Sequence, residues 1–98
     1  MALNREDLRA ELLRIRSDLD VIDKTLIQLL ARRLEAGLDA ANIKLLLEIP
    51  VHDPEREEKA LAQARQWARD SGLNESEVED LMRRMITLSR NAQIATHM

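Results

Sequence analysis

The sequence has no cysteine, no phenylalanine and no tyrosine, one tryptophan (Trp67), and only two glycines and two prolines among 98 residues. Without cysteine there is no disulfide framework, no thiolate nucleophile and no cysteine-type metal site. With so few aromatics, glycines and prolines there is little material for strands and hairpin turns. Histidine is nearly as scarce, and His52 and His97 lie too far apart in the chain to read as a ligand pair. No apolar run approaches the roughly 18 residues of a membrane span. The opening stretch from Met1 to Asp7 carries charge and no signal-peptide core. These absences set the expectation of a cytoplasmic protein that needs neither metal nor cofactor.

Charge of one sign is missing too. Lys and Arg total 15 against 18 Asp and Glu, a formal net charge of -3, which excludes a broad nucleic-acid footprint. A single tryptophan cannot supply a base-stacking platform. What is present is 45% hydrophobic and 34% charged residues, enough for a core and a solvated exterior in one domain spanning 1–98. Leu, Ala, Arg and Glu dominate, so the fold class is all-α.

Apolar residues recur at Leu8, Leu12, Ile15, Leu19, Ile22, Leu26 and Leu29, alternating steps of four and three, the signature of one helix face. The same count continues through Arg33, Ala36, Ala40, Ile43 and Leu47, and no proline intervenes before Pro50. The spacing predicts one helix over 5–47, capped by Asn4 and weakened at Gly37. At 1.5 Å per residue it is roughly 60 Å long. A domain of this size has a radius of gyration near 13 Å, so its remaining helices cannot cover such a stripe and a partner chain is expected. After a connector over 48–52, Asp53-Pro54 reads as a cap and first helical residue, predicting a second helix over 54–70 that ends at Ser71-Gly72. Its inner face is Leu61, Ala64 and Ala68, with Ala60 beside them. Asn74 with Glu77 starts a third helix over 75–95, with Val78, Leu81, Met82, Met85, Ile86 and Leu88 expected inward and Ser89 and Gln93 continuing the stripe.

Several polar residues sit on faces that should be apolar. Arg33 occupies the stripe, where a guanidinium requires an anion: an intrachain ion pair, or a ligand. Lys44, eleven residues on, lies three turns plus about 20° around and shares its face. Arg16 is roughly 25 Å and about 100° away along the same helix. It is therefore either a solvated charge or, in an intertwined dimer, a contributor to the partner's pocket. Asp53 is explained as a cap. Glu57 leads toward the buried side and needs a hydrogen-bond donor there, which a substrate hydroxyl would supply, and Arg56 beside it reads as a surface charge or a site cation. Ser89 and Gln93 read as bundle hydrogen bonds or as ligand contacts. Together these residues suit a small polyanion bearing a hydroxyl, with no activated nucleophile in view.

The chain resembles the all-helical chorismate mutases from Leu13 to Gln93. The matching features are Arg16 and Asp23 in IRSDLDVID, Arg33 in LLARR, Lys44 in IKLLLEIPV, Asp53, Arg56 and Glu57 in HDPERE, and Ser89 and Gln93 in SRNAQ. The resemblance implies three helices forming an intertwined homodimeric bundle, with Arg16 contributed across subunits. It implies an isomerase that converts chorismate to prephenate in aromatic amino acid (Phe/Tyr) biosynthesis. Arg16 of one subunit and Arg33 of the other would hold the two substrate carboxylates, with Ser89 beside Arg33. Lys44 and Gln93 would donate to the ether oxygen, Glu57 with Asp53 would take the hydroxyl, and Arg56 would orient the group. The chain departs from the pattern at Leu34, Gly37 and Asn42, none of which carries a named role. The alternatives are an isochorismate pyruvate lyase, which the acidic pair Asp53 and Glu57 disfavours, and a non-catalytic ligand-sensing or dimerisation module of the same fold.

Overall fold

The computed structural model describes residues 4–96, so His97 lies outside the described residues. Three helices are joined by two short turns: α1 (Arg5–Leu46), α2 (Pro54–Asp70) and α3 (Glu75–Thr96). Each boundary has a local chemical cause. Asn4 Oδ1 accepts from the Asp7 N–H at 2.8 Å, and Asp7 Oδ2 accepts from the Asn4 N–H at 3.4 Å, a reciprocal cap for α1. Asp53 Oδ1 accepts from the Arg56 N–H at 3.0 Å with Pro54 opening α2. Asn74 Oδ1 does the same for the Glu77 N–H at 2.9 Å at the start of α3.

Two helices end in the same motif on different residues. After α2, the Gly72 N–H reaches the Arg69 carbonyl at 3.2 Å and the Leu73 N–H reaches that of Ala68 at 2.8 Å, with Gly72 at φ 72. After α1, the Glu48 N–H reaches the Leu45 carbonyl at 3.1 Å and the Ile49 N–H that of Lys44 at 3.0 Å, with Glu48 at φ 59. The left-handed conformation costs a side-chain-bearing residue roughly 1–2 kcal/mol. Gly72 escapes that cost, whereas Glu48 bears it, at the turn that brings the Val51 carbonyl to the Lys44 ammonium.

The chain divides into two contact units at Arg33. In the first, residues 4–32 of α1, the predicted stripe from Leu8 to Leu29 is present, and its seven members are 42% to 57% exposed. An amphipathic helix draws most of its stability from packing such a face, so this one calls for a cover. On its polar side the Arg14 guanidinium meets Glu11 and Asp18 and holds the Glu11 carboxyl below the usual range.

In the second unit, residues 33–96, α2 packs along α3. Leu61, Ala64 and Ala68 are buried as their spacing predicts, together with Ala41. Val78, Met82, Met85 and Ile86 face them half-buried. Arg65 and Arg83 share Glu79, and Arg69 meets Glu75, flanking that contact with ion pairs. The structure departs from the expected faces on two helices. On α3, Leu81 and Leu88 are 59% and 44% exposed rather than inward. Met82 and Ser89, expected on the inner face beside them and each about 100° further round, are half-buried and buried there. On α1 the inward residues after Arg33 are Leu34, Gly37, Leu38, Ala41 and Lys44, while Ala36, Ala40 and Ile43 are exposed, as is Leu47 just beyond the helix. No helix among the described residues is long and apolar enough to cross a membrane.

Candidate active site

The offset of α1 has a consequence: Ala36 and Ala40 are exposed because they open onto a cavity of about 640 Å³ within the second unit. Small side chains at both positions leave room beside the helix backbone. Of the eight sequence-predicted site residues, Arg33, Lys44, Asp53, Arg56, Glu57, Ser89 and Gln93 line this cavity. Arg16 does not line it; its side chain is exposed in the first unit.

Arg33, half-buried on α1, donates from Nη1 to Ser89 Oγ at 3.2 Å and from Nη2 to Met82 Sδ at 3.8 Å. Ser89 is the buried polar side chain of the unit, held on the inner line of α3. Among the described residues no carboxylate lies within ion-pair distance of Arg33, so the intrachain pair that would have explained its position is not formed. A guanidinium satisfied only by neutral groups keeps most of its affinity for an anion. Lys44 is likewise held by a neutral group, donating from Nζ to the Val51 carbonyl at 3.2 Å, and Arg56 makes no ion pair among the described residues.

Gln93 Nε2 donates to the Gly37 carbonyl at 3.3 Å. A Cβ added at Gly37 would stand 3.3 Å from that same Nε2, so the missing side chain gives Gln93 its place. The glycine expected to weaken the helix thus has a packing role, set by α3 rather than by its own neighbours in the chain.

Glu57 is not left waiting for a ligand. Its Oε1 accepts from Arg90 Nη2 at 2.6 Å, and His52 Nε2 stands 3.8 Å from the same oxygen. Its Oε2 accepts no hydrogen bond among the described residues. The donor that the buried side of α2 requires is thus supplied by the protein, through a residue absent from the sequence-based set. Arg90 follows Ser89 directly and reads in the sequence as one more exposed helix charge. The unmet need of Glu57 was the only signal pointing to it. The wall of the cavity therefore carries Arg33, Lys44, Arg56 and Arg90 against Asp53 and Glu57, a local excess of positive charge in a chain whose net charge is negative.

The family model for chorismate mutase type II matches residues 15–94, which takes in most of α1, all of α2, most of α3 and every residue of the cavity wall. This chain is a type II chorismate mutase family member. The chorismate mutase of Methanocaldococcus jannaschii is 35% identical over 67% of the chain and 67% of its own length. The 4-amino-4-deoxychorismate mutase of Streptomyces venezuelae is 35% identical over 79% of the chain and 75% of its own. The T-protein of Enterobacter agglomerans is 36% identical over 86% of the chain. The chain spans 22% of that T-protein and 19% of the one from Haemophilus influenzae.

Proposed function

We propose that the chain rearranges chorismate to prephenate, a step of aromatic amino acid biosynthesis, by holding the substrate's folded conformer in this cationic cavity. The observation that carries the reading is the set of three cations, Arg33, Lys44 and Arg56, that line the cavity without a carboxylate partner among the described residues. Cations left without a carboxylate partner suit a dicarboxylate ligand. The reaction is unimolecular: the ether C–O bond breaks as a C–C bond forms, with no net proton transfer or change of redox state. The protein's task is then to restrict conformation and to stabilise charge where it develops.

In this reading Arg33, beside Ser89, holds one carboxylate. Lys44 and Gln93 give up long bonds of 3.2 and 3.3 Å to backbone carbonyls and donate instead to the ether oxygen, whose negative charge grows toward the transition state. Glu57 Oε2 accepts from the substrate hydroxyl next to Asp53, and Arg56 orients that end. Arg16 of a second copy supplies the remaining cation in an intertwined homodimer. Support for the homodimer comes from the exposed stripe of α1, which a second copy would cover, and from the exposed position of Arg16 outside the cavity wall. Relatives named for chorismate and for 4-amino-4-deoxychorismate share this family, so hydroxyl against amine is part of the substrate question.

The test is incubation of the purified protein with chorismate, following loss of substrate absorbance and identifying the product by chromatography. Prephenate formed above the spontaneous rate supports the reading. A folded protein that consumes chorismate no faster than buffer overturns it, and isochorismate, with pyruvate release as readout, becomes the next substrate.

Gly37→Ala separates stability from activity. Replacing a helix-interior glycine with alanine gains up to about 1 kcal/mol, so the thermal midpoint is expected to rise. The new methyl pushes the Gln93 amide away, so kcat is expected to fall. Differential scanning calorimetry and steady-state rates check both signs, and a rise in both would remove Gly37 from the account of how Gln93 is placed.

A further inference from the structure

Among the described residues Arg90 is the one arginine or lysine of the cavity wall that is paired with a carboxylate, and the proposed chemistry gives it no task. Its guanidinium donates at 2.6 Å to one oxygen of Glu57, a residue of the cavity wall whose other oxygen accepts no hydrogen bond among the described residues. Arg90 is 44% exposed and Glu57 29% exposed by side chain, so the pair is partly wet and its net contribution to stability is small. It crosses from α3 to α2 and fixes the rotamer of a side chain that would otherwise choose among several. It also changes what Glu57 can recognise. An unpaired carboxylate on a cavity wall attracts a cation, whereas one already compensated by a guanidinium presents only a hydrogen-bond acceptor. His52 Nε2 stands 3.8 Å from the same oxygen and adds positive charge there when protonated.

We infer that Arg90 is a positioning and specificity-determining residue: by compensating Glu57 it favours a neutral hydroxyl over a protonated amine at the substrate atom that Glu57 reads. The inference rests on the chorismate reading of the cavity. A protonated amine placed against Glu57 Oε2 would meet the field of Arg90 as well as that of the carboxylate, and it would enter a cavity wall that already carries excess positive charge. A hydroxyl bears no charge and loses nothing to that field.

The test compares the wild type, Arg90→Lys and Arg90→Leu on chorismate and on its analogue with an amine in place of the hydroxyl, measuring kcat and KM for each. The wild type is expected to prefer the hydroxyl substrate in kcat/KM. Arg90→Leu is expected to shift the ratio toward the amine by about tenfold, from a partly screened charge–charge term. Arg90→Lys, which keeps the charge, is expected to retain the wild-type preference. A merely structural Arg90 would slow both substrates together and leave the ratio in place, and that result overturns the inference. So does a wild type that prefers the amine. A wild type that converts neither substrate overturns the chorismate reading and takes this inference with it, whereas conversion of chorismate with an unmoved ratio overturns the inference alone.

Discussion

Lys44→Ala is expected to lower kcat by about 100- to 1,000-fold, the range found when one preorganised donor to a developing oxyanion is removed. KM should change far less. The argument turns on timing. In the ground state the ether oxygen is a poor acceptor, and Lys44 already has the Val51 carbonyl at 3.2 Å, so binding gains little from exchanging one for the other. As the C–O bond breaks, the oxygen gains negative charge and the ammonium becomes worth far more to it than to the carbonyl. Only that difference enters kcat. Lys44→Arg should recover little, because the strained turn at Glu48 holds the Val51 carbonyl where an ammonium on a flexible stem fits and a planar fork does not. Steady-state kinetics on chorismate decide the matter: a large rise in KM at unchanged kcat would reduce Lys44 to a binding residue.

The helices were legible in the sequence because their boundaries are local. Asn4, Asp53, Ser71-Gly72 and Asn74 act within a few residues of themselves, so reading them requires no knowledge of the rest of the chain. Of the seven expected site residues that line the cavity, Arg33, Lys44, Glu57, Ser89 and Gln93 stood out as polar side chains on faces expected to be apolar, whereas Asp53 and Arg56 were marked by the resemblance. The direction in which each helix turns its face was less legible. On α1 the expected line through Ala36 and Ala40 is exposed on the cavity wall while Gly37 and Ala41 are more deeply buried, and on α3 Leu81 and Leu88 are exposed while Met82 and Ser89, expected inward beside them, are not. A step of one residue is about 100°, and only packing against another helix selects between neighbouring lines. Arg90 was illegible because nothing in its own neighbourhood marks it. Its meaning comes from Glu57, 33 residues away, and an exposed arginine on an amphipathic helix is ordinary until its partner is located.

Arg16 carries the other large expectation. Arg16→Ala should cost about 3 kcal/mol, or roughly a hundredfold in kcat/KM, the scale for removing one partner from a desolvated, hydrogen-bonded charge pair. Such a loss would not by itself say which cavity Arg16 serves, since any lost cation weakens a dianion's binding. Mixing does say so. Arg16→Ala and Lys44→Ala are each nearly inactive alone, but if every cavity takes its Arg16 from the other copy, a dimer with one of each variant has one defect-free cavity and one with both defects. Random exchange makes half of all dimers mixed, so an equimolar mixture should regain about a quarter of wild-type activity, as a two-fold arrangement of identical sites requires. If Arg16 served its own chain's cavity, every cavity in the mixture would carry one defect and no activity would return. Recovery on mixing would also mean that the exposed stripe from Leu8 to Leu29 is covered by a second copy, because a cavity shared between chains exists only where the chains associate. The same helix that leaves its apolar face to water would then be the element that carries a cation into its neighbour.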